Sequence, residues 1–329
     1  MSAKEELMRS PAAEKYGSIE LLRFLAAISV VFVHIPTIGV GHIGVDVFFV
    51  VSGFVMMLST ERSGDNFLLK RAIRILPTYY FFTLAVFLLA LTAPSLLDST
   101  TANPVHLLES MAFVPFDKNG AGHRPILFLG WTLNYEMFFY VLFAVALQIA
   151  PRYRAIVTTL LLASVFLICQ TAESLPLSAY SEEIVFEFAL GMCIYELLIL
   201  KRKGQALAIL LTIFAALYLG ANSLDDRFYR FGLASALLVS AVLLWLGSKP
   251  LPKLVYLLGG SSYALYLSHP YVIQAFDKVL GWFGRGPLYQ LSATVLSIVL
   301  VNAVAITVHR VLEVPVTRAL RRKFLKRPA

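Results

Sequence analysis

The sequence predicts an all-α polytopic membrane protein of about ten transmembrane helices, with N- and C-termini cytoplasmic. Three observations predict it. Hydrophobic residues make up 58% of the 329 and charged residues only 15%, with a mean hydropathy of +0.75. A soluble domain is nearer half apolar and a quarter charged. The apolar residues lie in long runs without the period-two alternation of a membrane barrel. The basic residues behind the formal net charge of +8 gather in short loops between those runs. The charge therefore reads as membrane topology, and no nucleic acid partner is expected.

Taken in order, residues 1–18 (MSAKEELMRSPAAEKYGS) form a polar segment, and no signal-peptide cleavage pattern follows it. Spans are expected near Ile19–Ile35, Gly44–Ser59, Ile75–Thr92, Ile126–Ala150 and Ala155–Gln170. Further spans are expected near Glu183–Leu200, Ala206–Gly220, Phe231–Leu246, Leu254–Ala275 and Leu288–Val311. Several fall short of the ~20 residues of an ideal span, which tilt or local thinning of the bilayer accommodates. With the N-terminus inside, every second loop is basic: Arg62 to Arg74, Arg152 and Arg154, Lys201 to Lys203, Lys249 and Lys253, then the tail. This alternation obeys the positive-inside rule. It divides the chain into a cytoplasmic N-terminal segment 1–18, a transmembrane domain 19–312 and a basic cytoplasmic tail 313–329. Cys169 and Cys193 fall in apolar runs, so no disulfide framework is expected.

Chemistry is concentrated in a few costly polar residues. Arg23 and His34 share the first span in the pattern Arg-x10-His. On a helix that offset is about three turns, so both lie on one face, roughly 16 Å apart along the axis. Charge within a span marks a functional site by default. His34 precedes Ile35-Pro36, which places it in the last turn of its helix, near the outer face. There an imidazole can take a proton from a hydroxyl. Competing readings are an interfacial histidine, and an Arg23 that snorkels or pairs with Glu20.

Asp46, at the outer end of the second span, is expected level with His34 and able to orient it, or else to serve as a helix N-terminal acid. Ser52 and Gly53 suit close helix packing. Arg71 and Arg74 share one helix face at an inner membrane mouth, which suits phosphate, although plain topology also explains them. Glu136, beside Asn134 in GWTLNYEMFFY, needs a partner or a wet cavity; Arg23 and a substrate hydroxyl are candidates. Glu187 and Glu196 have weaker context. His269, before Pro270, reads equally as a second site histidine or an interfacial one. Glu313 reads as a helix-end ion-pair partner. No metal is expected, because neither HExxH nor clustered Cys/His spacing occurs. A P-loop, a dinucleotide fingerprint and a GxSxG elbow are also lacking in the sequence.

As a set, LRFLAAISVVFVH, GVDVFFVVSGF, RAIR, WTLNYEMFFY, SYALYLSH and EVP resemble the acyltransferase-3 family of integral membrane acyltransferases. The WTLNYEMFFY wording is most similar to the rhizobial exopolysaccharide O-acetyltransferase branch. The chain departs from the two-domain branch in having no SGNH hydrolase-like sequence after the last span. The resemblance implies an O-acetyltransferase of the bacterial inner membrane. It would move an acetyl (acyl) group from cytosolic acetyl-CoA to a sugar hydroxyl of an exopolysaccharide, lipid-linked oligosaccharide or other surface glycan. No bound cofactor is implied. His34 maps onto the family's essential histidine, Arg23 onto its partner arginine, and Arg71 and Arg74 onto the arginine motif of the CoA side. Asp46 and Glu136 complete the expected catalytic set as orienting groups. Polysaccharide assembly proteins are conceivable partners. The competing classes are a transporter or flippase for lipid-linked sugars, in which buried charges line a path, and a non-catalytic scaffold of an assembly complex. The scaffold gives no reason for Arg23 and His34 to share a face.

Overall fold

A computed structural model describes residues 17–97, 100–116, 124–172, 176–199, 227–281 and 283–325. Most of the described residues are helical, with no strand among them. The helices are α1 (Gly17–His34), α2 (Ile43–Ser59), α3 (Phe67–Thr92), α4 (Pro104–Met111), α5 (Trp131–Ile149) and α6 (Arg154–Cys169). They continue with α7 (Phe186–Ile199), α8 (Leu233–Leu246), α9 (Lys253–Gly260), α10 (Ser262–Leu280), α11 (Pro287–Val308) and α12 (Val314–Phe324).

Among the described residues, six helical segments are long and apolar enough to cross a membrane. They are Gly17–His34, Phe67–Thr92, Phe128–Ile149, Pro151–Cys169, Phe228–Leu246 and Pro287–Phe324. The second expected span is α2, apolar but only 17 residues long. The sixth is α7, at 14 residues. The ninth is broken at Ser261 into α9 and α10. The seventh, Ala206–Gly220, lies outside the described residues.

Exposed side chains such as Leu88, Leu91, Ile149, Leu167, Ile168 and Leu291 leave an apolar exterior suited to lipid. The chain is a multi-pass membrane protein.

Lipid tails are as apolar as leucine, so helix association here depends on close packing rather than on the hydrophobic effect. Small residues supply that closeness. A Cβ on Gly53 of α2 would run into the carbonyl oxygen of Phe188 on α7, and one on Gly191 of α7 into that of Val50 on α2. Gly44 of α2 abuts the carbonyl of Ala26 on α1 in the same way, and Gly259 of α9 abuts that of Glu20. These seams hold α1, α2, α7 and α9 backbone against backbone.

The obstacle at Gly53 and Gly191 is main chain, which cannot rotate away. Gly53→Val and Gly191→Val are therefore expected to destabilise the bundle by at least about 1–3 kcal/mol, the usual cost of overpacking. Thermal unfolding of the purified protein measures this. A variant that melts with the wild type contradicts the seam.

Two prolines sit inside helices, Pro77 in α3 and Pro270 in α10. Pro36 does end α1 two residues early, at His34, as its effect on the preceding backbone requires. Pro270 does not end α10, which runs on to Leu280. His269 is therefore mid-helix and fully buried, rather than at a helix end.

Candidate active site

Polar residues converge in a cavity of about 120 Å3 lined by α1, α2, α3, α5 and α10. A water needs roughly 10–15 Å3 on this measure, so several fit. Arg23 and Glu20 reach it from α1, Ser52 from α2, Arg71 and Arg74 from α3, Thr132, Glu136 and Tyr140 from α5, and Tyr263 and Tyr266 from α10. Three guanidinium groups face two carboxylates, which leaves the cavity net cationic and suited to an anion.

Each side chain is held in place. Arg71 Nη2 donates to Ser59 Oγ at 2.7 Å, and its guanidinium carbon lies 5.7 Å from the Phe67 ring centre and 5.9 Å from that of Tyr140. Its Nε is buried without a hydrogen-bond partner among the described residues. That donor is free for an incoming oxygen. Glu136 accepts from the Tyr140 hydroxyl one turn on, and from Ser52 Oγ at 3.2 Å. Arg23 lies 3.5 Å from Glu20, the ion pair that competed with its functional reading. Both residues nevertheless line the cavity. Tyr263 donates to the carbonyl of Ile75 at 3.1 Å, tying α10 to α3. At the same mouth α12, carrying Arg318, Arg321, Arg322 and Lys323, packs on α3.

His34 lies outside this lining, at the far end of α1. Its Nδ1 is 2.9 Å from the Val30 carbonyl and 3.1 Å from Nε2 of His269. The two imidazole centres are 4.9 Å apart and meet edge to face, and Phe128 packs on His34 with ring centres at 5.6 Å. Tyr266 links pair and cavity. It lines the cavity, its ring centre is 6.3 Å from that of His269, and its hydroxyl meets Thr132 Oγ1 at 2.9 Å.

Arg23, Arg71, Arg74 and Glu136 are thus brought together, and His34 sits one aromatic layer beyond them. Asp46 is not among them. It was expected to orient His34, but its two oxygens meet Arg227 instead, Nε at 3.2 Å and Nη2 at 2.8 Å. The buried Glu187 of α7 also stands beside it. The reason is rotation. Asp46 falls on the side of α2 that faces α7 and the turn before α8, while α1 and α10 contain the histidines. Glu313 bonds His309 Nδ1 at 3.0 Å, a helix-end pair of the expected kind.

Sequence reading missed Arg227, Tyr140, Tyr263 and Tyr266. Tyr140 is one turn from Glu136, and Tyr263 and Tyr266 are one turn apart before His269, so helical spacing alone carried a signal for them. No group of three or more metal-ligating residues occurs among the described residues.

A helical membrane bundle with a cationic cavity, and a histidine pair beside one of its lining tyrosines, suits intramembrane group transfer. The sequence comparison specifies it. Residues 16–307 match the family model described as an acyltransferase domain, and the chain belongs to the acyltransferase-3 family. It is an acyltransferase. It is 33% identical over 292 residues to the exopolysaccharide production protein ExoZ of Rhizobium meliloti (strain 1021), covering 85% of this chain and 90% of that protein. No solved structure matches it.

Proposed function

We propose that the protein transfers an acetyl group from cytosolic acetyl-CoA to a sugar hydroxyl of an exopolysaccharide or of its lipid-linked precursor. The site is the bacterial inner membrane, with both termini in the cytoplasm and about ten spans. The observation that carries the reading is the cationic cavity, which gathers Arg23, Arg71 and Arg74 and ends at Tyr266 beside the His34–His269 pair. Similarity to ExoZ supports the acceptor class. Residues 1–18, 19–312 and 313–329 remain the proposed division of the chain. Polysaccharide assembly proteins are proposed partners.

In this reading Arg71 and Arg74 bind CoA phosphates by charge-assisted hydrogen bonds. The pantetheine arm passes along the Arg23 face toward Tyr266. The acceptor hydroxyl reaches His34 from the opposite side. As its oxygen attacks the thioester carbonyl, its proton passes to His34 Nε2. The carbon–sulfur bond then breaks, the sugar keeps the acetyl group as an ester, and the CoA thiolate receives the proton. Glu136, held by Tyr140 and Ser52, orients water or donor groups in the cavity. Asp46 acts at a distance, by holding α2 against the Arg227 turn.

The test uses purified full-length protein, [14C]acetyl-CoA and membranes bearing the native acceptor. CoA release with label entering the polysaccharide fraction is expected. Sugar movement across vesicles without acetyl-CoA consumption replaces this reading with the transporter.

A further inference from the structure

The donor set around the histidine pair dictates where its protons are. Each Nδ1 meets the carbonyl oxygen four residues earlier on its own helix, Val30 at 2.9 Å from His34 and Leu265 at 3.1 Å from His269. A carbonyl oxygen only accepts, so both Nδ1 atoms carry the proton in the neutral rings. His269 Nε2 is then a lone pair, and His34 Nδ1–H, 3.1 Å away, donates to it. His34 Nε2 is left as the unprotonated nitrogen. The opposite tautomers would set nitrogen lone pairs against both carbonyl oxygens. The one His34 Nδ1–H is shared between Val30 O and His269 Nε2, and His269 Nε2 is the acceptor that comes from another helix.

The geometry points to His269 as a positioning residue: through its Nε2 it holds His34 in the Nδ1–H tautomer that presents a basic Nε2 to the acceptor hydroxyl. The inference rests on His34 being the base. In a catalytic triad an acid performs the equivalent service for its histidine. Here a neutral, fully buried imidazole performs it, itself locked by the Leu265 carbonyl. When His34 gains the hydroxyl proton at Nε2, its Nδ1–H becomes the more acidic donor, and the bond to His269 strengthens. His269 touches neither donor nor acceptor.

The experiment measures acetyl transfer from [14C]acetyl-CoA to the polysaccharide fraction by purified full-length variants. His269→Leu fills the space without an acceptor and is expected to lower kcat by about 100-fold, within the range of acid–base catalysis, with the KM for acetyl-CoA unchanged. His269→Gln, whose side-chain oxygen can accept from His34 Nδ1–H, is expected to recover at least about ten-fold over the leucine variant. A folded His269→Leu with near wild-type kcat, or a glutamine variant no better than leucine, overturns the proposal.

Where the leucine variant does not accumulate, His269→Gln is compared with His34→Ala. Activity well above His34→Ala supports the positioning role, and equal activity overturns it. A fully active His34→Ala removes the base assignment and this inference together. An inactive His34→Ala beside a fully active His269→Leu removes only the inference.

Discussion

His34→Ala is expected to lower acetyl transfer by on the order of 100- to 10,000-fold, the range that a positioned acid–base group supplies. The imidazole is the basic side chain at the end of α1, and alanine leaves only the fully buried His269 Nε2 behind it. Folding is expected to survive. His34 is only partly buried, and its removal frees His269 Nε2 alone while the Leu265 bond persists. The measurement is label transferred per mole of protein, with detergent-extracted yield and melting temperature recorded alongside. Transfer at the wild-type rate by a folded variant eliminates His34 as the base. Loss of both yield and transfer is separated from this by His34→Gln, which keeps a donor and an acceptor but cannot exchange a proton near neutrality.

Replacing both Arg71 and Arg74 by alanine is expected to raise the KM for acetyl-CoA by at least roughly 10- to 100-fold, since even one hydrogen bond to a charged group contributes about 1.5–3 kcal/mol. The free Arg71 Nε and the net cationic lining motivate this. The decisive comparison uses acetyl-dephospho-CoA. Wild type should prefer the phosphorylated donor, and the double variant should lose that preference. If the preference persists in the variant, phosphate is bound elsewhere. Arg71 also braces Ser59 and stacks near Phe67 and Tyr140, so Arg71→Lys separates charge from fork geometry. Lysine keeps the charge and loses the second donor direction, and an intermediate KM is expected.

Much of the site was legible because membrane spans are unforgiving. Arg23, Arg71, Arg74 and Glu136 stood out as charges in or at apolar helices, and the structure collects them in one cavity. What was not legible was which helix faces which. His34 closes α1 and Asp46 lies in the first turn of α2, and level alone suggested a contact. Partner choice depends on rotation about the helix axis, and the glycine seams of α2 with α1 and α7 set that rotation. Hence Asp46 meets Arg227, far away in sequence, and His34 meets His269. Pro270 lies inside α10, as the expected ninth span through it requires, because neighbouring helices in a packed bundle tolerate a mid-helix proline.

The sequence by itself determined the material of the molecule: helices, because a membrane leaves backbone polar groups no other local partner, and the few charges worth keeping there. It also carried the family, through short motifs spread along nearly the whole chain. Only the tertiary structure decided the pairing of His34 with His269, the cavity that Tyr266 links to them, and the diversion of Asp46 to Arg227. The reason is physical. Helical periodicity fixes which residues share a face, but contacts between helices depend on how closely two backbones approach, and that is a property of the pair.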